Sequence, residues 1–242
     1  MKSTSLNFKN GIKDGLPIGL GYLSVSFAFG VQAVLLGVPA FMAVFMSMTN
    51  LTSAGQLAGL TIIAALGTVL EITVTQLVIN ARYFLMSLTL SQKLDDSFSI
   101  PHRLLCSAFV TDEIFAVAAA KDGSINRRYF YGLVVLPYVG WATGTLLGAT
   151  AGSILPSFIT NALGIALYAM FIAIIVPPSI KERGVLVAVA MGAVISTILY
   201  YVPIFTVIPS GFKIIISAVI TASIVAWLFP IKEKEESDNG LS

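Results

Sequence analysis

From Gly15 to Phe229 the chain is a series of apolar stretches, most of them about twenty residues long, with charge confined largely to the short segments between them. A helix needs about 20 such residues to cross a hydrocarbon core of about 30 Å. Inside lipid every backbone N–H and C=O must be paired within the protein, which helices do unaided. The fold class that follows is all-α, a polytopic membrane protein. Composition agrees: hydrophobic residues make up 57% of the 242 and charged residues 11%, where a soluble domain carries about a quarter charged. Cytosolic and secreted globular classes are excluded.

The apolar runs divide into spans at 15–37, 40–66, 68–90, 103–120, 128–152, 157–177, 184–202 and 211–230. That makes seven or eight membrane helices, the second and third carrying polar interruptions. Residues 1–14 read as a cytoplasmic tail, 15–230 as the transmembrane domain and 231–242 as a charged cytoplasmic tail. The first apolar run is too long for a signal peptide and lacks a cleavage site, so it reads as an uncleaved membrane helix. With eight alternating crossings and the N-terminus inside, Lys93, Arg103 and Lys213 fall outside. The other loop and tail cations, among them Lys9, Lys13, Lys121, Arg127, Arg128, Lys181 and Arg183, fall inside. This bias puts both termini in the cytoplasm of a cell-membrane protein.

Several patterns speak to packing more than to chemistry. Gly140, Gly144, Gly148 and Gly152 recur every four residues, as do Gly11, Gly15 and Gly19. Such stripes let another backbone approach closely, within the bundle or at a subunit interface. Leu16-Pro17 recurs at Leu136-Pro137 and Thr49-Asn50 at Thr160-Asn161, a weak likeness that would make 15–120 and 128–230 the halves of an internal repeat. The single Cys106 permits no internal disulfide, and His102, the lone histidine, reads as part of a short polar loop. Nothing calls for a metal or another cofactor, and no basic patch offers itself to nucleic acid.

Chemistry is concentrated in the few polar groups inside the apolar runs, since intramembrane charge is functional by default. The apolar side chains of "RLLCSAFVTDEIFAVAAAK" (103–121) favour insertion by roughly 2–4 kcal/mol, and two central acids cost roughly 5–7 kcal/mol. Asp112 and Glu113 must therefore be paired, hydrated or protonated. They read as a proton site or a counter-charge for a cationic substrate group, or as a structural ion pair with Arg82. In "EITVTQLVINARYF" (71–84) Gln76 and Asn80 share a helix face with Thr73. Glu71 and Arg82 lie about 16 Å apart along the axis, too far to pair, so Arg82 is expected to pair with another helix. Glu71 joins the candidate proton-coupling acids, with a solvated, snorkelling acid as the plainer reading.

The stretch "TNLTSAGQLAG" (49–59) interrupts the second run. Residues 40–49 make about 15 Å of helix, half of the hydrocarbon core. Ser53 and Gln56 have capping-box spacing. The pattern predicts a helix broken near mid-membrane, its second half starting near Ser53. A helix start presents unpaired N–H groups and a positive dipole end, which transporters use to hold anionic substrate groups. Asn50, Thr52, Ser53 and Gln56, with Gln76, Asn80 and Arg82, are the substrate-binding candidates. A polar kink filled by a neighbouring helix is the alternative.

"SMTNLTSAGQLAGL", "EITVTQLVINARYFLMSLTLSQKL" and "FVTDEIFAVA", in this order and spacing, resemble the AzlC family in its Gram-positive branch. The resemblance implies a permease subunit for export of branched-chain amino acids and a small, separately encoded AzlD-type membrane subunit of about four helices. Family members are often labelled ABC-type. This chain has no Walker A stretch and no loop suited to docking an ATPase, and buried acids suit an ion-gradient-driven carrier better. The expected function is thus a secondary transporter and not an enzyme, with amino acid, small subunit and membrane lipid as partners. A passive pore and a non-transporting scaffold are the other readings.

Overall fold

The computed structural model describes residues 6–152 and 154–230, and the charged C-terminal tail lies outside the described residues. The chain divides into two compact units at Ile172/Ala173. The described residues are all-α apart from one isolated bridge between Leu94 and Ile125.

The first unit holds α1 (Phe8–Leu35), α2 (Ala40–Thr49), α3 (Ser53–Ala64), α4 (Val69–Ser91), α5 (Ile100–Ser107), α6 (Asp112–Ala119), α7 (Arg127–Ala151) and most of α8 (Ser157–Lys181). Asparagines start its two longest fully assigned members. Asn7 Oδ1 accepts the Asn10 N–H at 2.9 Å and Asn126 Oδ1 the Tyr129 N–H at 2.9 Å, each satisfying one of the donors a helix start leaves open. Helix α1 begins at Phe8, inside the stretch read as a tail.

Helices α1 and α7 run parallel in close contact. A Cβ on Gly132 would fall on Phe8 O, one on Gly140 on Gly19 O, and one on Gly148 on Phe27 O. From the other side, a Cβ on Gly11 would fall on Tyr129 O and one on Gly19 would lie 2.8 Å from Leu136 O. Both glycine stripes thus serve packing inside the unit, where only a hydrogen leaves room for the opposing backbone. The recurring Leu-Pro pairs belong to these two packed helices, Pro137 lying beside Gly15.

Between α1 and α7 the chain makes two hairpins where the apolar runs predict single crossings. Helix α2 leaves the C-terminal end of α1, where Val38 and Ala43 cluster with Ala33. It descends until Met48 O accepts the Tyr138 hydroxyl at 3.2 Å and Leu51 packs on Tyr22 and Trp141, halfway along α1 and α7. There it stops. Helix α3 turns back, Leu57 and Leu60 rejoining the cluster of Ala33 and Val38. Helix α4 then runs antiparallel to α3, Gln76 beside Gly59 and Gly55, and Asn80 and Tyr83 beside Thr52.

The second hairpin is the mirror case. Helix α5 starts at the N-terminal end of α1 and α7, where the Arg103 guanidinium donates to Phe98 O and Ser91 O and His102 meets Tyr131. It rises to Thr111, level with Tyr22. Helix α6 returns to the same end, where Lys93 Nζ donates to Ala119 O and Lys121 O, and Lys121 pairs with Asp14 at 2.8 Å. So neither 40–66 nor 103–120 runs from one end of the unit to the other. The expected continuous helix over 103–120 is interrupted after Ser107, and His102 sits in a helix where a loop was expected.

The second unit contains the end of α8, α9 (Arg183–Tyr201), a 3-10 turn at Pro203–Phe205 and α10 (Ser210–Leu228). Helices α9 and α10 are antiparallel: Gly184 faces Phe229, and Ser217 Oγ donates to Gly192 O at 3.2 Å. Among the described residues five helices, α1, α4, α7, α9 and α10, are long and apolar enough to cross a membrane.

Candidate functional site

The two hairpin tips meet the middle of α1, α4 and α7, and each tip is the start of a returning half-helix. At the first tip α2 ends at Thr49, Asn50 closes it through its N–H to Met46 O at 2.8 Å, and Ser53 opens α3. The cap is Thr52, one residue before the expected Ser53: Thr52 Oγ1 accepts from the Gly55 N–H. Gln56 is therefore out of register for a capping box, and its amide is used otherwise. Gln56 Nε2 donates to Ser47 Oγ at 2.6 Å and Gln56 Oε1 accepts from Trp141 Nε1 at 2.9 Å. Ser47 shares a 2.7 Å hydrogen bond with Thr145. All four side chains are buried, so Gln56 pins both arms of the hairpin to α7.

A second set of bonds ties the same tip to α4. Thr52 Oγ1 donates to Asn80 Oδ1 at 2.9 Å, Asn80 Nδ2 to Gln76 Oε1 at 2.9 Å, and Gln76 Nε2 to Gly55 O at 2.7 Å. The Tyr83 hydroxyl reaches Thr52 Oγ1 at 3.3 Å and accepts from Arg82 Nη2 at 3.2 Å. Arg82 also binds Asp112 at 2.8 Å. The expectation that Arg82 pairs with another helix holds, and the ion pair joins α4 to the second tip.

At the second tip Thr111 caps α6, accepting the Ile114 N–H, and Asp112 and Glu113 occupy the first turn. Both acids thus lie at the positive end of a helix dipole, where a carboxylate is stabilised, and not along a continuous span. Tyr22 Oη lies 2.7 Å from Thr111 Oγ1 and 2.6 Å from Glu113 Oε2. Among the described residues no Lys or Arg pairs with Glu113.

Nine of the expected residues therefore gather at the tips: Asn50, Thr52, Ser53, Gln56, Gln76, Asn80, Arg82, Asp112 and Glu113. Glu71 does not join them. It sits in the first turn of α4 behind the cap Thr68, nine residues before Asn80, which is about 13 Å along the helix. It is also buried, so the snorkelling reading of it is wrong. Sequence reading missed Tyr22, Tyr83, Ser47 and Trp141. A mid-span Tyr or Trp was the available signal, because a buried hydroxyl or indole N–H needs a partner. A separate cavity of about 60 Å³, bounded by Ser87, Leu90, Arg103, Cys106 and Phe130 among others, is lined by none of the expected residues.

The two tips are electrically unlike. The first turn of α3 contains no acid, so its open N–H groups favour an anion. The first turn of α6 carries two acids and one cationic partner, so that end favours a cation or a proton.

Comparison with known proteins agrees with this membrane architecture. The family model described as AzlC protein matches residues 17–155, which spans both hairpins. An uncharacterized membrane protein of Archaeoglobus fulgidus is 35% identical over 195 residues, 79% of this chain and 84% of the relative. Inner membrane protein YgaZ of Escherichia coli K12 is 29% identical over 208 residues, 83% and 85% of the two chains. An uncharacterized membrane protein of Helicobacter pylori 26695 is 28% identical over 169 residues, 68% and 72%. No solved structure gives a significant match. By family model and by relatives that cover most of its length, the chain belongs to the AzlC family of membrane proteins.

Proposed function

We propose that this protein is the large subunit of an ion-coupled exporter of amino acids with apolar side chains, with leucine, isoleucine and valine first and methionine next. The observation that carries the reading is the pair of unlike half-helix starts at mid-unit. An amino acid is a zwitterion, and its carboxylate suits the acid-free start of α3, around Asn50, Thr52 and Ser53. Its ammonium suits Glu113 at the start of α6. Gln56, Gln76 and Asn80 hold the α3 tip in place, and Arg82 neutralises Asp112.

In this reading Glu113 carries the coupling proton in preference to Asp112, which already has a cationic partner. A carboxylate that must lose its proton before it accepts an ammonium links outward substrate flow to inward proton flow. Glu71 has no part in the exchange.

The membrane frame follows from the hairpins. With α1, α4 and α7 crossing, α2–α3 and α5–α6 are re-entrant, entering from opposite faces. Lys9, Lys13, Lys93, Arg103, Lys121, Arg127 and Arg128 then share one face, while the links 36–39, 65–68 and 154–156 on the other have no Lys or Arg. The positive-inside rule makes the cation-rich face cytoplasmic. Lys93 and Arg103, outside in the count of eight crossings, move inside. Irregular backbone at mid-depth is tolerable because it is enclosed by protein. The apolar, branched-chain substrate class, export as the direction, and an AzlD-type small subunit as partner rest on the family resemblance.

The test is flux into proteoliposomes under an imposed pH gradient, with and without the small subunit, beside thermal stability titrated with leucine, valine, methionine and a polar control. Saturable stabilisation by the apolar amino acids and accumulation against their gradient are expected. Flux that neither saturates nor accumulates makes the protein a pore. Absence of any stabilisation and flux makes it a scaffold.

A further inference from the structure

Residues 8–64 and 69–119 each comprise one long helix followed by a hairpin: α1 with α2–α3, and α4 with α5–α6. The second set runs opposite to the first, because α4 is antiparallel to α1 and its hairpin enters from the other end. The cap threonines correspond, Thr111 standing fifty-nine positions after Thr52, and so do two tyrosines, Tyr83 standing sixty-one positions after Tyr22.

The hydrogen bonds cross between the sets. The α1 tyrosine, Tyr22, is bonded to Thr111 of the second hairpin at 2.7 Å, and the α4 tyrosine, Tyr83, to Thr52 of the first at 3.3 Å. Neither tyrosine bonds the cap of its own set. This reciprocal exchange is what an inverted pair of equivalent units produces about an axis lying in the membrane plane. It divides the chain quite differently from halves at 15–120 and 128–230.

We propose that Tyr22 and Tyr83 are equivalent positioning residues, each latching the hairpin tip of the opposite unit, and that release of one latch or the other opens the two faces in turn. Tyr83 holds the hairpin that enters from the end opposite the N-terminus. Tyr22 holds the hairpin that enters from the N-terminal end. The two latches differ in reinforcement: Tyr22 also binds Glu113 at 2.6 Å, whereas Tyr83 also receives Arg82. Protonation or substrate binding at Glu113 therefore acts on the Tyr22 latch first. This assignment builds on the exporter reading, where sequential opening of two faces is the transport cycle.

The experiment uses the full chain with Cys106→Ser as background and one new cysteine at each tip, Asn50→Cys or Ala108→Cys. A membrane-impermeant maleimide is applied to vesicles of either sidedness. Tyr83→Phe is expected to raise labelling at position 50 from the face opposite the N-terminus by about five-fold, the population shift allowed by loss of one neutral hydrogen bond. Tyr22→Phe is expected to raise labelling at position 108 from the N-terminal face by at least as much. Thr52→Val and Thr111→Val, which remove the partner atoms, should copy Tyr83→Phe and Tyr22→Phe respectively. Labelling that rises on the same face for both tyrosine variants, or on neither face, overturns the equivalence. So does failure of the threonine variants to copy them in protein that retains its thermal transition. The labelling uses no substrate, so its outcome is separate from that of the amino-acid flux assay.

Discussion

The two hairpins have the same shape and opposite ways of being held. The tip of α2–α3 is pinned by neutral groups, Gln56 between Ser47 and Trp141, in surroundings from which solvent is excluded. The tip of α5–α6 is pinned by charge, Asp112 on Arg82 and Glu113 on Tyr22, and the Arg82–Asp112 side chains are 41% and 35% exposed. A buried neutral network is rigid, since each bond lost leaves an unpaired polar group. A half-exposed ionic one can exchange partners with a proton, a salt ion or a substrate. Under the proposed function, the first hairpin would be the fixed receptor and the second the element that exchanges partners.

The sharpest way to break that distinction is Glu113→Gln. It should reduce pH-driven flux by about 100-fold or more, the range for losing a positioned proton-carrying group. Asn50→Ala at the other tip should raise the substrate KM and leave the pH profile unchanged. An altered pH profile in both variants would dissolve the division of roles. Next in size is Gln56→Leu, which strands Trp141 Nε1–H without its acceptor. It should cost about 2–3 kcal/mol of stability, read from thermal unfolding in detergent, with no dependence on salt. The smallest effect is the coupling between Arg82 and Asp112. A double-mutant cycle with Arg82→Met and Asp112→Leu should give about 1–2 kcal/mol, shrinking as ionic strength rises. A coupling that salt does not touch would mean that the second tip is as closed as the first.

The first break was legible because a largely apolar ten-residue run precedes Asn50 and small polar residues follow, which are helix-stop and helix-start signals of ordinary strength. The second was equally written, as Thr111 followed by two acids, the composition of a helix first turn. It escaped because charge inside an apolar run draws a question about cost before one about position. Neither stretch reveals that the chain turns back there. A kinked crossing and a returning hairpin present the same residues, and only the backbones of α1 and α7, far off in sequence, distinguish them. One clue lay in the loops. Lys93 and Arg103 fall outside in an eight-crossing count, and the proposed re-entrant frame would place them with the other cations. Glu71 misled for the opposite reason, since an acid three residues past a threonine belongs to the start of its own helix.

The parallel contact of α1 with α7 also sets an order of assembly. Asp14 and Tyr129, bonded at 2.7 Å, are 115 positions apart, roughly 6–23 s of synthesis at the usual rate of elongation. Through that interval the first helix lacks the partner that fills its small-residue groove, and both hairpins are made before the wall that supports them. Helix α7 closes the group begun by α1, as a keystone closes an arch. A chain stopped before Arg127 would contain both tips and leave them without α7, the wall that fixes their level in the unit.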